Sequence, residues 1–130
     1  MTVTTTTADL IINYGLEQEA KVSRSPERLR ALAHVTDIMI LMYVARNPHT
    51  PGDVLRKLAT KKDQDDLILC SVAENPSTPT DALIKLIYTS SACALDVRFC
   101  VTQNPNVTSA VLRKIAEGDD LAARVAASKL

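Results

Sequence analysis

Apolar residues along this chain fall into two alternating kinds of segment, both spaced for helices. The first kind reads Arg28-Leu29-Arg30-Ala31-Leu32-Ala33, Val54-Leu55-Arg56-Lys57-Leu58-Ala59, Ala82-Leu83-Ile84-Lys85-Leu86-Ile87 and Val111-Leu112-Arg113-Lys114-Ile115-Ala116. Its leucines recur at helical spacing with charges between them, the mark of a helix with one buried side. The second kind is more evenly apolar and follows an aspartate: Asp37 before Ile38, Asp66 before Leu67, Asp96 before Val97, Asp120 before Leu121. Each aspartate is expected to cap a short second helix. Ahead of both, Ala8 to Val22 places Leu10, Ile11, Tyr14 and Leu16 on one helical side, which suits a helix that covers the open end of a stack. Leu121, Ala122, Val125 and Ala126 form a last helix with no following copy, so either it turns inward as a cap or two chains meet there as a homodimer.

Between the two kinds of segment one phrase returns: Val44-Ala45-Arg46-Asn47-Pro48, Val72-Ala73-Glu74-Asn75-Pro76 and Val101-Thr102-Gln103-Asn104-Pro105. A residue before proline is pushed out of the α region, and asparagine can bond the backbone locally, so these are read as structural turns. All 6 prolines fall in this register. Pro51 and Pro79 suit a first helical position, with Thr50 and Thr78 as N-caps and Asp53 and Asp81 at the third position, favourable to the helix dipole. Ser25-Pro26 repeats the device, whereas the last copy has Val107-Thr108 and Ala110, leaving Thr108 as the cap. Self-similarity of this period means stacked units that share a continuous core.

The pattern Val-Ala-x-Asn-Pro-x-Thr-Pro-x-x-x-Leu-x-x-Leu-Ala, followed by Asp-Val-Arg, resembles the variant leucine-rich repeats of bacterial proteins over roughly residues 25 to 130. Asp96-Val97-Arg98 fits best, while Asp66-Leu67-Ile68 and Asp37-Ile38-Met39 lack the arginine. The resemblance implies a right-handed superhelix in which α-helices alternate with shorter, often 3₁₀, segments. Longer connections, Thr60 to Asp65 and Tyr88 to Leu95, move this chain toward HEAT-like pairs with fully α second helices. The expected fold is therefore all-α, a right-handed α-solenoid of about three to four repeats of roughly 26–30 residues. Residues 1–7 are expected to be a disordered leader, 8–24 a capping helix and 25–130 the repeat domain. A founding member of the family carries an iron–sulfur cluster ahead of its repeats, but no matching cysteine group exists here, and no cofactor is expected.

Composition narrows the function. With 15 Lys+Arg against 15 Asp+Glu the chain has no net field to steer nucleic acid or an anionic membrane, so any charge-driven binding is local. No apolar run approaches the roughly 20 residues needed to cross a bilayer. A cytoplasmic location is expected; Ser128-Lys129-Leu130 would be a peroxisomal address only in a eukaryotic host. Cys70 and Cys100 both lie four residues after their aspartate, which predicts one column of the core shared with Leu41, whereas Cys93, beside Ser90-Ser91-Ala92, is expected to be exposed. Metal or redox work remains a minor alternative for the thiols, because a Cys-x₆-Cys pair without histidine is weak evidence for zinc. His34 and His49 have no partner at catalytic spacing, and Gly15, Gly52 and Gly118 make no phosphate loop, so neither a catalytic nor a metal site is expected.

Two surface features remain as candidate sites. Arg30, Arg56, Lys57, Lys85, Arg113 and Lys114 recur in successive first helices and would align as a basic stripe able to track phosphates. Arg46, Glu74 and Gln103 precede the Asn-Pro turns, an unlike set at one structural position, as a specific partner surface would have. Solenoids present surfaces, so the expected function is a non-enzymatic protein–protein interaction module, scaffold or adaptor, with an unidentified protein partner. Nucleic-acid binding through the basic stripe is the alternative.

Overall fold

Each Asn-Pro turn separates two helices, and the alternation continues along the chain. A computed structural model describes residues 6–89 and 93–130, apart from the side chains at 9 and 10. Among the described residues are nine α-helices: α1 (Thr7–Val22), α2 (Pro26–Leu32), α3 (Ile38–Arg46), α4 (Gly52–Thr60), α5 (Asp66–Glu74), α6 (Thr80–Ile87), α7 (Ala94–Thr102), α8 (Ser109–Ala116) and α9 (Leu121–Ser128). The fold is all-α. One layer runs α1, α3, α5, α7, α9, each packed on the next, and α4, α6 and α8 pack in turn as a second layer. α2 packs on α1 and α3. The core lies between the layers: Leu32, Leu55, Leu58, Leu83, Leu86, Val111, Leu112 and Ile115 from the first helices meet Ile40, Val44, Ile68, Val72, Val97 and Val101 from the second.

The turn asparagines are buried, and each satisfies its whole amide. Asn47 donates to the carbonyls of Ala20 (2.9 Å) and Ser23 (2.8 Å). Asn75 donates to Ala45 (2.7 Å) and Asn47 (2.9 Å), and Asn104 to Ala73 (2.8 Å) and Asn75 (2.8 Å). Each side-chain oxygen accepts the N–H two residues on, at His49, Ser77 and Asn106, all at 2.8 Å. Every turn is thus tied to the one before it, through groups that helix ends leave open. Gly52 marks how near neighbouring turns come: a methyl group there would stand 3.0 Å from Pro79 Cγ.

Several capping expectations need correction. Thr50 and Thr78 do not cap the following helices; their hydroxyls turn back to the carbonyls of Val44 and Val72, both at 2.6 Å. Pro51 and Pro79 are themselves the extended cap residues rather than the first helical ones, so Asp53 and Asp81 fall at the second helical position. Asp65, not Asp66, caps α5, because the extended backbone falls one residue earlier and its carboxylate takes the Leu67 N–H (2.9 Å). Asp96 caps nothing: α7 starts at Ala94, since Ala94 and Leu95 are good helix formers, and Asp96 sits in its first turn. Ser25, Asp37, Thr108 and Asp120 do cap α2, α3, α8 and α9. Asp120 is also held by Arg98 at 2.5 Å, and its carboxyl lies below the usual range, first through the Ala123 N–H and then through that arginine.

The front helix also packs differently from expectation. Ala20 is fully buried and Leu16 half-buried, while Ile11 and Tyr14 are exposed; the side chain of Leu10 lies outside the described residues. Lys21 sits 4.4 Å from the centre of the Tyr43 ring, and Glu19 pairs with Arg28, which together hold α1 to α3 and α2. α3, α5, α7 and α9 are all α-helical, as the longer connections imply. The disordered leader assigned to residues 1–7 lies largely outside the described residues, which reach back to Thr6, with α1 beginning at Thr7.

These contacts predict an order of stability losses in urea unfolding. Asn75→Ala, which orphans the Ala45 carbonyl and takes one of two donors from the Asn47 carbonyl, is expected to cost roughly 2–5 kcal/mol, comparable to Leu55→Ala at the centre of the core. The exposed Asn106→Ala, which loses one bond to the Pro76 carbonyl, is expected to cost about 1 kcal/mol or less. Equal small losses at Asn75 and Asn106 would show that the buried amides do not hold the turns together.

Candidate functional site

Arg30, Arg56, Lys57, Lys85, Arg113 and Lys114 lie on the first helices α2, α4, α6 and α8, and two of them are neutralised by neighbouring carboxylates. Arg30 Nε and Nη2 donate to Asp53 at 3.3 and 3.0 Å, and Arg56 makes the same fork with Asp81 at 2.8 and 3.2 Å. Each arginine reaches the first turn of the next first helix, a geometry that matches guanidinium to carboxylate in both atoms. At the third rung Ile84 stands where the arginines stand and Ala110 replaces the aspartate, so both partners change together. Asp53 and Asp81 are held below the usual carboxylate range, first by the arginine hydrogen bonds. Lys57, Lys85, Arg113 and Lys114 are exposed and outside the four ion pairs found among the described residues.

The other layer presents a different face. Arg46, Glu74 and Gln103 are all exposed, and the first two line one groove of about 220 Å³ with Ser71, Asn75 and Pro76. Gln103 is outside that groove and donates to Thr102 Oγ1 at 3.2 Å. A row of apolar residues missed in the sequence reading lies along the same helices: Ile38 and Met39 on α3, Leu67 on α5, Leu95 and Phe99 on α7, Leu121 on α9. Leu67 is 56% and Leu121 58% exposed, far outside the core range. The signal was available for Ile38, Met39, Leu67, Phe99 and Leu121, which lie in segments already recognised as evenly apolar, whereas Leu95 falls in the stretch read as a connection. An evenly apolar helix in a two-layer stack must leave one side uncovered.

The cysteines are not placed as expected. Counted back from the buried asparagines, Cys70 lies five residues before Asn75 and Cys100 four before Asn104, so they occupy different positions. Both are half-buried against the core rather than inside it, and Cys93 is half-buried rather than exposed; Ser90-Ser91-Ala92 lie outside the described residues. All are free thiols. Burial pushes Cys70 and Cys100 up, and Cys100 is raised further as it donates to the Cys70 sulfur and faces Glu74. The Cys93 thiol is raised mainly by its hydrogen bond to Asp66. Among the described residues no group of three or more His, Cys, Asp or Glu is placed to hold a metal ion. Both histidines are exposed: His34 follows the end of α2, and the backbone of His49 serves Asn47.

Two outcomes follow from these electrostatics. The thiols should be alkylated by iodoacetamide at pH 8 more slowly than free cysteine, with Asp66→Asn accelerating Cys93 most and Cys70 less, as read by peptide mass spectrometry. Because Asp53 and Asp81 have lowered folded-state values, the stability they add is present above the ordinary carboxylate pKa and is lost as pH falls through the lowered one. Asp53→Asn with Asp81→Asn should therefore flatten the acid limb of a stability-against-pH curve. The chain matches no protein-family model, no curated protein and no solved structure.

Proposed function

We propose that the chain is a right-handed α-solenoid of about three to four variant leucine-rich, HEAT-like repeats that works as a non-enzymatic protein–protein interaction module. The stacking of α3, α5, α7 and α9, and the links of 28 and 29 residues from each turn asparagine to the one before, support the repeat reading. The observation that carries the functional reading is the exposed apolar row of Ile38, Met39, Leu67, Leu95, Phe99 and Leu121 on adjoining helices. Single exposed hydrophobes need no explanation, but a row that crosses four packed helices fits burial by another protein. Arg46, Glu74 and Gln103 lie near the far ends of α3, α5 and α7, where they would supply polar specificity at the rim. Internal pairing of Arg30 and Arg56 weakens the competing nucleic-acid reading.

Affinity purification with cross-linking should recover a partner whose capture is lost with Leu67→Asp/Phe99→Asp and kept with Lys85→Glu/Lys114→Glu. Labelled duplex and single-strand DNA should bind weakly across a salt series. Tight DNA binding that falls steeply with salt and vanishes on reversing the lysines would replace this reading with the nucleic-acid one. Sedimentation well above 14.1 kDa, reversed by Leu67→Asp/Phe99→Asp, would identify the partner as a second copy of the chain.

A further inference from the structure

Between the C-terminal half of α2 and the face of α4 lies a cleft of about 250 Å³, lined by Arg30, Ala33, His34, Val54, Lys57, Leu58 and Lys61. Its origin is in the packing: α2 spans only seven residues and leans on α1 and α3, while α4 packs on α5 and α6. The floor is apolar, with Val54 and Leu58 belonging to the core and Ala33 packed against it. The walls are cationic, and no carboxylate lines the cleft.

Comparison with the next repeat separates what the scaffold requires from what is particular here. Counted along the matching helices, Arg30, His34, Lys57 and Lys61 correspond to Arg56, Thr60, Lys85 and Thr89. The two additional basic groups, His34 and Lys61, therefore occur only where the cleft lies. Asp53, one helical turn before Lys57, is held by Arg30, and neither Lys57 nor Lys61 has a carboxylate in ion-pair range among the described residues. Like charges gathered at the rim of a cleft repel one another, and an anion bound among them relieves that repulsion.

We infer that this cleft binds a small organic anion, a carboxylate or phosphate head on a short hydrocarbon body. The body lies on Ala33, Val54 and Leu58, and the head is met by Lys57, Lys61 and His34. Lysines act here as point charges that accept either head group, and Arg30, held by Asp53, keeps the wall in place. The volume lies just under the range of ordinary small-molecule sites, which suits a ligand with a short chain and not a large cofactor. The cleft opens on the first-helix layer, away from the apolar row, so this inference is independent of the interaction reading.

The probes are octanoate and octyl phosphate, with octylamine, octanol and inorganic phosphate as controls, titrated into the 130-residue chain and followed by amide chemical shifts. Saturable shifts confined to the end of α2 and the face of α4 are expected for the two octyl anions. Lys57→Gln/Lys61→Gln should weaken both at least about tenfold, corresponding to roughly 1.4 kcal/mol, while Lys85→Gln, the matching lysine one repeat on, should leave them unchanged. Ala33→Leu, which fills the floor, should abolish binding with the rest of the spectrum preserved. If octanoate alone binds, or octyl phosphate alone, the head group is assigned accordingly and the site stands. Equal binding of octylamine or octanol, binding of inorganic phosphate as tight as octyl phosphate, shifts elsewhere, no saturable shift, or indifference to the lysine substitutions would each overturn it.

Discussion

The structure depends on three buried asparagine amides. Each joins a helix end to the turn of the preceding repeat, and the Asn47 and Asn75 carbonyls are themselves acceptors for the next asparagine in the row. Asparagine is suited to this because its amide has two donors and an acceptor on a one-carbon stem. Aspartate would lose both donors, and glutamine would place them one methylene further out. A buried polar row of this sort is stabilising when complete and costly when broken, because a carbonyl without its donor has no water to replace it. The threonine hydroxyls on Val44 and Val72 extend the same logic to the first two turns. Val107 occupies that position in the third turn and has no hydroxyl to donate.

Once the turns are linked, surface positions in successive repeats meet in a constant geometry. Arg30 reaches Asp53 and Arg56 reaches Asp81 by the same fork, and the third rung exchanges both partners for Ile84 and Ala110. Such exposed pairs contribute little to stability. Their larger effect is on the field: they remove two arginines from a stripe that would otherwise attract phosphates along its whole length. What remains positive is concentrated at the α2–α4 cleft and along the lysines. The opposite layer keeps its apolar first turns uncovered. The two layers therefore offer unlike chemistry to solvent on a single scaffold.

Much of this was legible in the sequence. The helical repeat, the leucines that form the core and the Asn-Pro turns follow from periodicity and proline alone, because spacing and backbone restriction are local properties. The caps at Ser25, Asp37, Thr108 and Asp120 were legible for the same reason. Thr50 and Thr78 were misread because a hydroxyl beside a helix start has two possible partners, and only the preceding helix end, brought close by the turn, decides which is used. The cysteine register failed for a related reason: the aspartates do not hold a constant place in each repeat, whereas the buried asparagines do.

The chain by itself determined that it would form paired helices around a shared leucine core, since the apolar period leaves no other way to bury those residues. Only the tertiary structure decided which charges were free and which apolar residues stayed exposed. Neutralisation of Arg30 by Asp53, exposure of Leu67 and Phe99, and the cleft between α2 and α4 each depend on how neighbouring repeats are set against one another. That setting arises from hydrogen bonds between residues 24 to 31 positions apart, about one repeat, whose individual donors and acceptors the repeat period does not specify.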